Sequence, residues 1–537
     1  MPLYQVPILA FSILVALAGV TYWAFRGDSP PYRLIRYFWP FYAAAQIVLA
    51  GAVFESHLFF PLNLEFMEST GLQHVLRLSS GLPVYVEPTP EFVALAYNPL
   101  FYVICVPFLW IFGPSLAAVR MPAMLASVAA AIMIALLVKR LTRSNWWALM
   151  AAGVFSASYR VMDCYLDVGH RDSLLLLSIL TGFWFLHRGS RLGPLPGILA
   201  LAIGFWFKQS GLVFLVLGIF YALWHYPRLQ AAAASLTGLA LGPLLHSSAP
   251  GAWFGPQMHF FTVEVPLHWT ALRWSEVSNL LRLLSWHFGV LFVAAGWLWF
   301  RQWRKPGGRL GILRMAIPGA LASGAAVVVT PGSNNNVYIP MCTLLIVGGM
   351  TALSRLSRTG ARGRQLSYAL LALVFAPLVY KPQSVIASPQ APRLYAEFTG
   401  MLQSLDGPVY APGLGPLYPG PGLQKVRLTP LVHVVPMADL VRGPGRDETK
   451  SALVRTLLRS VENPLAPIAY IVTHSTLEDE PTLAYLGSRY RLEKDFGKRY
   501  EPLSTLPARH GHLYPRFLYK LQPPQGAPTA LAKRDSR

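Results

Sequence analysis

Some thirteen apolar runs, several of them followed directly by Lys or Arg, constrain this chain more than any other feature. They are Val6–Phe25, Tyr37–Phe54, Tyr97–Phe112, Leu116–Val138, Trp146–Tyr159, Leu174–Leu186 and Leu195–Phe207. They continue with Leu212–Trp224, Ala231–Leu245, Leu284–Phe300, Gly311–Val329, Val337–Leu353 and Leu366–Tyr380. A helix crossing about 30 Å of hydrocarbon needs roughly 20 apolar residues. Runs of this length and number predict a mainly α fold, a polytopic transmembrane bundle of about 12–13 spans. With 54% hydrophobic and 13% charged residues, the chain has too little charge for a soluble globular surface. The first run lacks a basic leader and a small-residue cleavage site, so it is expected to be retained.

Charge then orients the bundle. The net charge is +21, yet the basic residues punctuate apolar runs as membrane-flanking clusters do, and no nucleic-acid motif accompanies them. No nucleic acid is expected as a partner. Arg26/Arg33/Arg36, Lys139/Arg140/Arg143, Arg188/Arg191, Arg301/Arg304/Lys305/Arg309 and Arg355/Arg358/Arg362/Arg364 are expected on the cytoplasmic side. The stretch 58–99 has the opposite bias: Glu65, Glu68, Glu87 and Glu91 against Arg77 alone. It is expected outside, with Asp167–Asp172, Ser247–Arg282, the turn Thr330–Asn336 and everything after Lys381. That assignment requires Tyr97–Phe112, broken by Pro99 and Pro107, to be a short or re-entrant segment rather than a full span.

The bundle is expected to occupy 1–381, with an outer loop at 55–96. From about Pro382 apolar runs shorten to strand length and both signs of charge appear, which predicts a small α/β domain over 382–524. GPVYAP, IAYIVTH and Tyr490–Phe496 read as strands, Lys450–Glu462 and Thr476–Leu486 as helices, and 525–537 as a disordered tail. Nothing there follows a strand with a phosphate-binding glycine pattern. Cys105, Cys164 and Cys342 offer no disulfide framework or paired-Cys zinc site.

Glu65 and Glu68 are three apart, on one face of any helix they share. Their flanks, FFPLNLEFME, are apolar and aromatic, and desolvation turns a carboxylate into a better proton acceptor. His74 and Arg77 follow within reach of an anion or a hydroxyl. Asp163–Asp172, DCYLDVGHRD, crowds Asp163, Asp167, His170, Arg171 and Asp172 into one turn; Arg171 suits phosphate oxygens by its planar fork. Lys208 sits in FWFKQSG between two apolar runs, where a cation is costly unless paired or functional. Asn334–Asn336 open a late span from a polar turn. His259, Glu264 and His268 lie in an outer loop without the spacing of a strong ligand motif.

Gly81, Tyr85, Asn98–Pro99, Phe112–Gly113, Ser115 and Arg120 resemble, in order and context, the membrane-integral glycosyltransferases of the C-type fold (GT-C). That group includes the protein O-mannosyltransferases and the lipid A aminoarabinose transferases. The resemblance implies an enzyme of a bacterial-type inner membrane with its site and C-terminal domain extracytoplasmic. It would move a hexosyl or pentosyl group from a polyprenyl-phosphate donor to a glycan, lipid or protein acceptor by in-line inverting displacement. The phrase "K-x-x-G" at Lys208 and the Asn-rich turn belong to the same likeness. By it, Glu68 is the catalytic base and Glu65 the second candidate. Arg171, Lys208, Asp172 and His170 would hold the donor phosphate; Asp167, His74, Asn98, Asn334, Asn335 and Asn336 would bind substrate. A divalent metal is the one cofactor left open. The sequence departs from the family in carrying only glutamates where an aspartate is usual. A transporter or lipid flippase, or a non-catalytic envelope scaffold, are the alternatives.

Overall fold

Helix ends in this protein alternate between two poles, one acidic and polar, the other basic. The structure, a computed structural model, describes residues 30–65, 67–87, 92–189, 191–248, 250–268, 272–303, 311–329, 334–411, 468–479, 489–504 and 514–522. The expected span Val6–Phe25, the helix Lys450–Glu462, most of Thr476–Leu486 and the tail fall outside the described residues.

Helix α1, Pro30–Leu58, reaches the polar pole at His57. After a short loop come α2, Glu68–Ser79, and α3, Leu100–Phe112. The long α4, Ala117–Thr142, leaves that pole and ends at Lys139 and Arg140. Helix α5, Asn145–Ala157, returns; α6, Asp172–Arg188, leaves again; α7, Leu195–Phe207, comes back to Lys208. The pattern continues through α8, Gly211–His225, and α9, Arg228–Leu239, which runs into a π-helical turn at Ala240–Leu244. Short helical turns between 245 and 268 precede α10, Trp274–Arg282; then come α11, Gly289–Trp303, α12, Leu313–Val328, α13, Ile339–Leu356, and α14, Ala361–Phe375.

The chain is an integral membrane protein. Among the described residues four helical stretches are long and apolar enough to cross a membrane: Tyr37–Leu58, Ala117–Thr142, Asn335–Leu356 and Ala361–Ser384. A fifth exists if Trp274–His287 and Gly289–Gln302, bent by 86°, form one broken span. Leu100–Phe112, Leu195–Phe207, Gly211–His225 and Leu313–Val328 are apolar but shorter. Phe41 is 75% exposed and Val48 72%, which is unfavourable in water and natural against lipid. Helix α13 is buried along nearly its whole length. It packs on α11, where Leu291 approaches so closely that a Cβ on Gly349 would lie 2.9 Å from the Leu291 Cα; small residues permit such close helix approach.

Helix α3 covers most of the segment 97–112. It begins beside Asn98, whose Nδ2 donates to the Phe205 carbonyl next to Lys208. It ends with Phe112 against Phe59, ring centres 6.2 Å apart. Both neighbours lie at the polar pole, so α3 begins and ends at that pole. Thirteen residues span only about 20 Å. Trp110, 81% exposed, and Ile111 turn outward from its last turns.

The C-terminal region contains α15, Ala391–Gln403, and four strands: β1, Val409–Tyr410; β2, Tyr470–Thr473; β3, Tyr490–Asp495; and β4, Phe517–Leu521. Their order is β1-β2-β4-β3, with β1 parallel to β2 and the other pairs antiparallel. The predicted strands are there; β4 and α15 were not expected from sequence. Ala387 donates its N–H to Ser56 Oγ at the end of α1, bringing this region to the polar pole.

Candidate functional site

The loop before α2 is fastened by one buried ion pair. Glu68, first residue of α2, meets Arg120 of α4 at two points: Nε to Oε1 at 3.0 Å and Nη2 to Oε2 at 2.7 Å. Arg120 also donates to the carbonyls of His57, Phe60 and Leu62, so one guanidinium ties together the end of α1 and the loop. Glu68 further accepts N–H bonds from Leu64 and Gly169, each at 2.7 Å. A side chain on Gly169 would strike Val119 at 2.6 Å, so the backbone approach to Glu68 depends on glycine. Glu68 therefore has four donors and is buried.

Glu65 is a different carboxyl. Its Oε2 accepts the Met67 N–H at 2.9 Å, while its buried Oε1 has no hydrogen-bond partner. Burial pushes its pKa up to about 8, with Glu68 adding to the shift and the Met67 amide, Arg171 and Tyr165 opposing it.

Three further buried polar atoms without a hydrogen-bond partner belong to the same neighbourhood: Arg171 Nε, His170 Nε2 and Asn334 Oδ1. The Arg171 guanidinium lies flat on Tyr97, its carbon 3.3 Å from the ring centre, and Nη1 reaches the Tyr102 hydroxyl at 3.5 Å. Among the described residues no ion pair joins Arg171 to a carboxylate. His170 stands edge-on to Tyr97 and Tyr165. Burial, reinforced by Arg171, brings its pKa down to about 4, so the ring is neutral near pH 7. Its Nδ1 donates to Asp172 Oδ2, which leaves Nε2 as a lone-pair acceptor. Asn334 Nδ2 donates to the Tyr165 hydroxyl at 2.7 Å.

Beneath this layer Asp172 is the hub. Lys208 Nζ donates to Oδ1 at 2.7 Å and Asn336 Nδ2 to Oδ2 at 2.8 Å. Asn335 is tied to the loop instead, its N–H to Asp163 Oδ2 at 2.7 Å and its Nδ2 to the Val161 carbonyl at 3.0 Å. Asp163 and Cys164 hold φ of 52° and 63°, an unfavourable left-handed turn that these contacts fix in place.

The structure thus brings together Glu65, His170, Arg171, Asp172, Lys208, Asn334 and Asn336. It sets others apart. Asp167 pairs with His57 at 2.7 Å and accepts from Tyr159 at 2.9 Å, both at the end of the bundle core. His74 is spent within the loop: Nδ1 donates to the Thr70 carbonyl at 2.6 Å and Nε2 accepts the Leu95 N–H at 2.9 Å. Asn98 serves the Phe205 carbonyl and His246. Arg77 donates to the Pro83 carbonyl, Glu87 is exposed, and Glu91 lies outside the described residues. No group of three or more His, Cys, Asp or Glu that could hold a metal occurs among the described residues. Tyr97 and Tyr165 escaped the sequence reading. Tyr97 stands directly before Asn98–Pro99, and Tyr165 lies within DCYLDVGHRD.

Residues 97–251 match the family model described as dolichyl-phosphate-mannose-protein mannosyltransferase. The matched segment begins at Tyr97 and takes in His170, Arg171, Asp172 and Lys208, and the chain resembles the GT-C glycosyltransferases there. Curated proteins yield no match. Among solved structures, ArnT from Cupriavidus metallidurans bound to undecaprenyl phosphate is similar at 12% identity and TM-score 0.45, over 91% of this chain and 98% of that one. The Archaeoglobus fulgidus oligosaccharyltransferase in complex with zinc and sulfate is similar at 11% identity and TM-score 0.44, over 81% of this chain and 68% of that one. Likenesses this distant carry no functional weight by themselves.

Proposed function

We propose that this protein is a membrane glycosyltransferase that moves a sugar from a polyprenyl-phosphate donor to an extracytoplasmic hydroxyl acceptor. The observation that carries the reading is the convergence of four buried polar atoms without hydrogen-bond partners, Glu65 Oε1, Arg171 Nε, His170 Nε2 and Asn334 Oδ1, in one cluster. Buried polar groups are normally satisfied, and a cationic donor, a carboxyl oxygen and two neutral acceptors left open together form a site for a polar ligand.

In this reading Glu65, not Glu68, is the base. Glu68 has every approach occupied by Arg120, Leu64 and Gly169, whereas Glu65 keeps an open oxygen and a raised pKa. Glu65 takes the proton of the acceptor hydroxyl as its oxygen bonds to the anomeric carbon from the face opposite the phosphate. The bond from that carbon to the phosphate oxygen breaks, its electron pair leaves with the lipid phosphate, and the anomeric configuration inverts. Arg171 faces the departing phosphate from its seat on Tyr97, and a fixed cation in a dry site counts most where charge develops. Lys208 stands behind, held by Asp172, and Asn334 and His170 offer acceptors to sugar hydroxyls. The family match at 97–251 favours a lipid-phosphate sugar over a nucleotide sugar.

The test is transfer of labelled sugar from polyprenyl phosphate by membranes carrying wild type or Glu65→Gln. Loss in the variant, with normal amounts of folded protein, is expected. Equal transfer by the two removes Glu65 from the mechanism, and no transfer by wild type from any such donor removes the proposal.

A further inference from the structure

The basic pole carries a polar cavity that the reaction above does not use. It encloses about 850 Å³. Lys139, Arg140 and Arg143 contribute the charge from the end of α4, and Trp184, His187 and Tyr221 complete the wall. His187 and Asp172 are fifteen residues apart on α6, which places the cavity roughly 22 Å from the candidate site.

Membrane-flanking cations ordinarily reach into water, and a cluster of them is no site in itself. Here they line a concavity with an aromatic wall. The Arg140 guanidinium carbon lies 5.7 Å from the centre of the Trp184 ring, and its Nη2 donates to the Arg188 carbonyl at 3.4 Å. Arg143 takes φ of 56° and returns its N–H to the Lys139 carbonyl, folding the chain back against the end of α4. Among the described residues no ion pair joins any of the three to a carboxylate. Leu136, also in the lining, and Ile132 are one turn apart on α4 and both exposed, so an apolar track leads from the charges along the outside of the helix.

Three cations without acids, joined to an apolar track, match an amphiphile with an anionic head. We propose that this cavity binds the phosphate headgroup of an anionic membrane glycerophospholipid, with an acyl chain lying along Leu136 and Ile132. The proposal is independent of the reaction assigned to the opposite pole.

Purified protein in a neutral detergent would be titrated with phosphatidylglycerol, phosphatidylcholine and glycerol phosphate, following bound lipid by native mass spectrometry and unfolding by thermal melting. Phosphatidylglycerol is expected to bind and raise the melting temperature, and the other two to do neither. The double change Arg140→Gln with Arg143→Gln is expected to weaken phosphatidylglycerol about 30-fold, at about 1 kcal/mol for each charge. Arg491→Gln, on exposed β3 and outside both sites, is expected to leave it unchanged. Should the double variant not fold, Lys139→Gln alone is expected to weaken binding several-fold. Equal binding of the two lipids, an equal response to glycerol phosphate, or undiminished binding by the Arg140/Arg143 or Lys139 variants would overturn the proposal.

Discussion

Arg120 and Glu68 form a two-point ion pair, both side chains fully buried, that joins the first turn of α4 to the first turn of α2. The same guanidinium collects three carbonyls from the segment 57–62. An acid selected by its place in the sequence as the reactive group is therefore the fastening of the loop that carries a different acid, Glu65.

Breaking that fastening should unfold the loop rather than merely slow a reaction. Removing one partner of a buried pair strands the other charge, at about 3–5 kcal/mol. Arg120→Ala and Glu68→Ala should each lower the yield of folded protein and the melting temperature. Glu65→Gln should change either far less. Limited proteolysis across 58–99 reads the difference, and equal sensitivity in all three would contradict the division of roles.

The proposed role of Glu65 as base implies a pH dependence. A base with a pKa of about 8 works only when deprotonated, so transfer should rise about tenfold per pH unit below pH 8 and level off above it. The stability sign runs the other way. The folded pKa lies above the ordinary value of 4.5, so the contribution of Glu65 is full below that value and is lost as pH rises through about 8. A transfer rate flat between about pH 6 and pH 8 would show that Glu65 is not the base whose ionisation limits the rate.

Arg171 holds position by lying flat on Tyr97. Lysine keeps the charge but loses the planar fork and the stacking. Arg171→Ala should weaken polyprenyl-phosphate binding by roughly 10- to 100-fold, the range of about 1.5–3 kcal/mol for a charged hydrogen bond. Arg171→Lys should recover only part of it, and Tyr97→Leu should mimic the partial loss. Binding of a labelled polyprenyl phosphate to detergent-solubilised protein measures all three; full recovery by lysine would argue for charge alone.

Asp172 receives Lys208, His170 and Asn336. Asp172→Ala leaves a buried ammonium without its anion and should cost about 3–5 kcal/mol. The pairwise change of Asp172→Asn with Lys208→Met should be milder than Asp172→Ala. Melting temperatures of the set decide it, and a double variant no more stable than the single would sink the idea that the two charges depend on each other.

The apolar periodicity and the placement of Lys and Arg determined the membrane bundle, its basic pole and the polar pole opposite, because burial in lipid acts on every residue of a run. The change of composition near Pro382 likewise marked the region of the sheet. The shortness of the helix at 100–112 was legible too, since Pro99 and Gly113 bound it. Strand β4, FLYKL, is five residues long and stayed hidden because its pairing with β2 and β3 is set by partners distant in sequence.

Tertiary structure decided which acid is free. Glu65 and Glu68 share a neighbourhood in sequence and a burial class in the fold, and spacing cannot separate them. Arg120 and Gly169 arrive at Glu68 from residues 52 and 101 positions away, while Glu65 Oε1, with Tyr165 and Arg171 near it, is left without a hydrogen-bond partner. Whether a buried carboxylate is a clamp or a reagent depends on how many donors the rest of the chain aims at it, and that count exists only after the helices have packed.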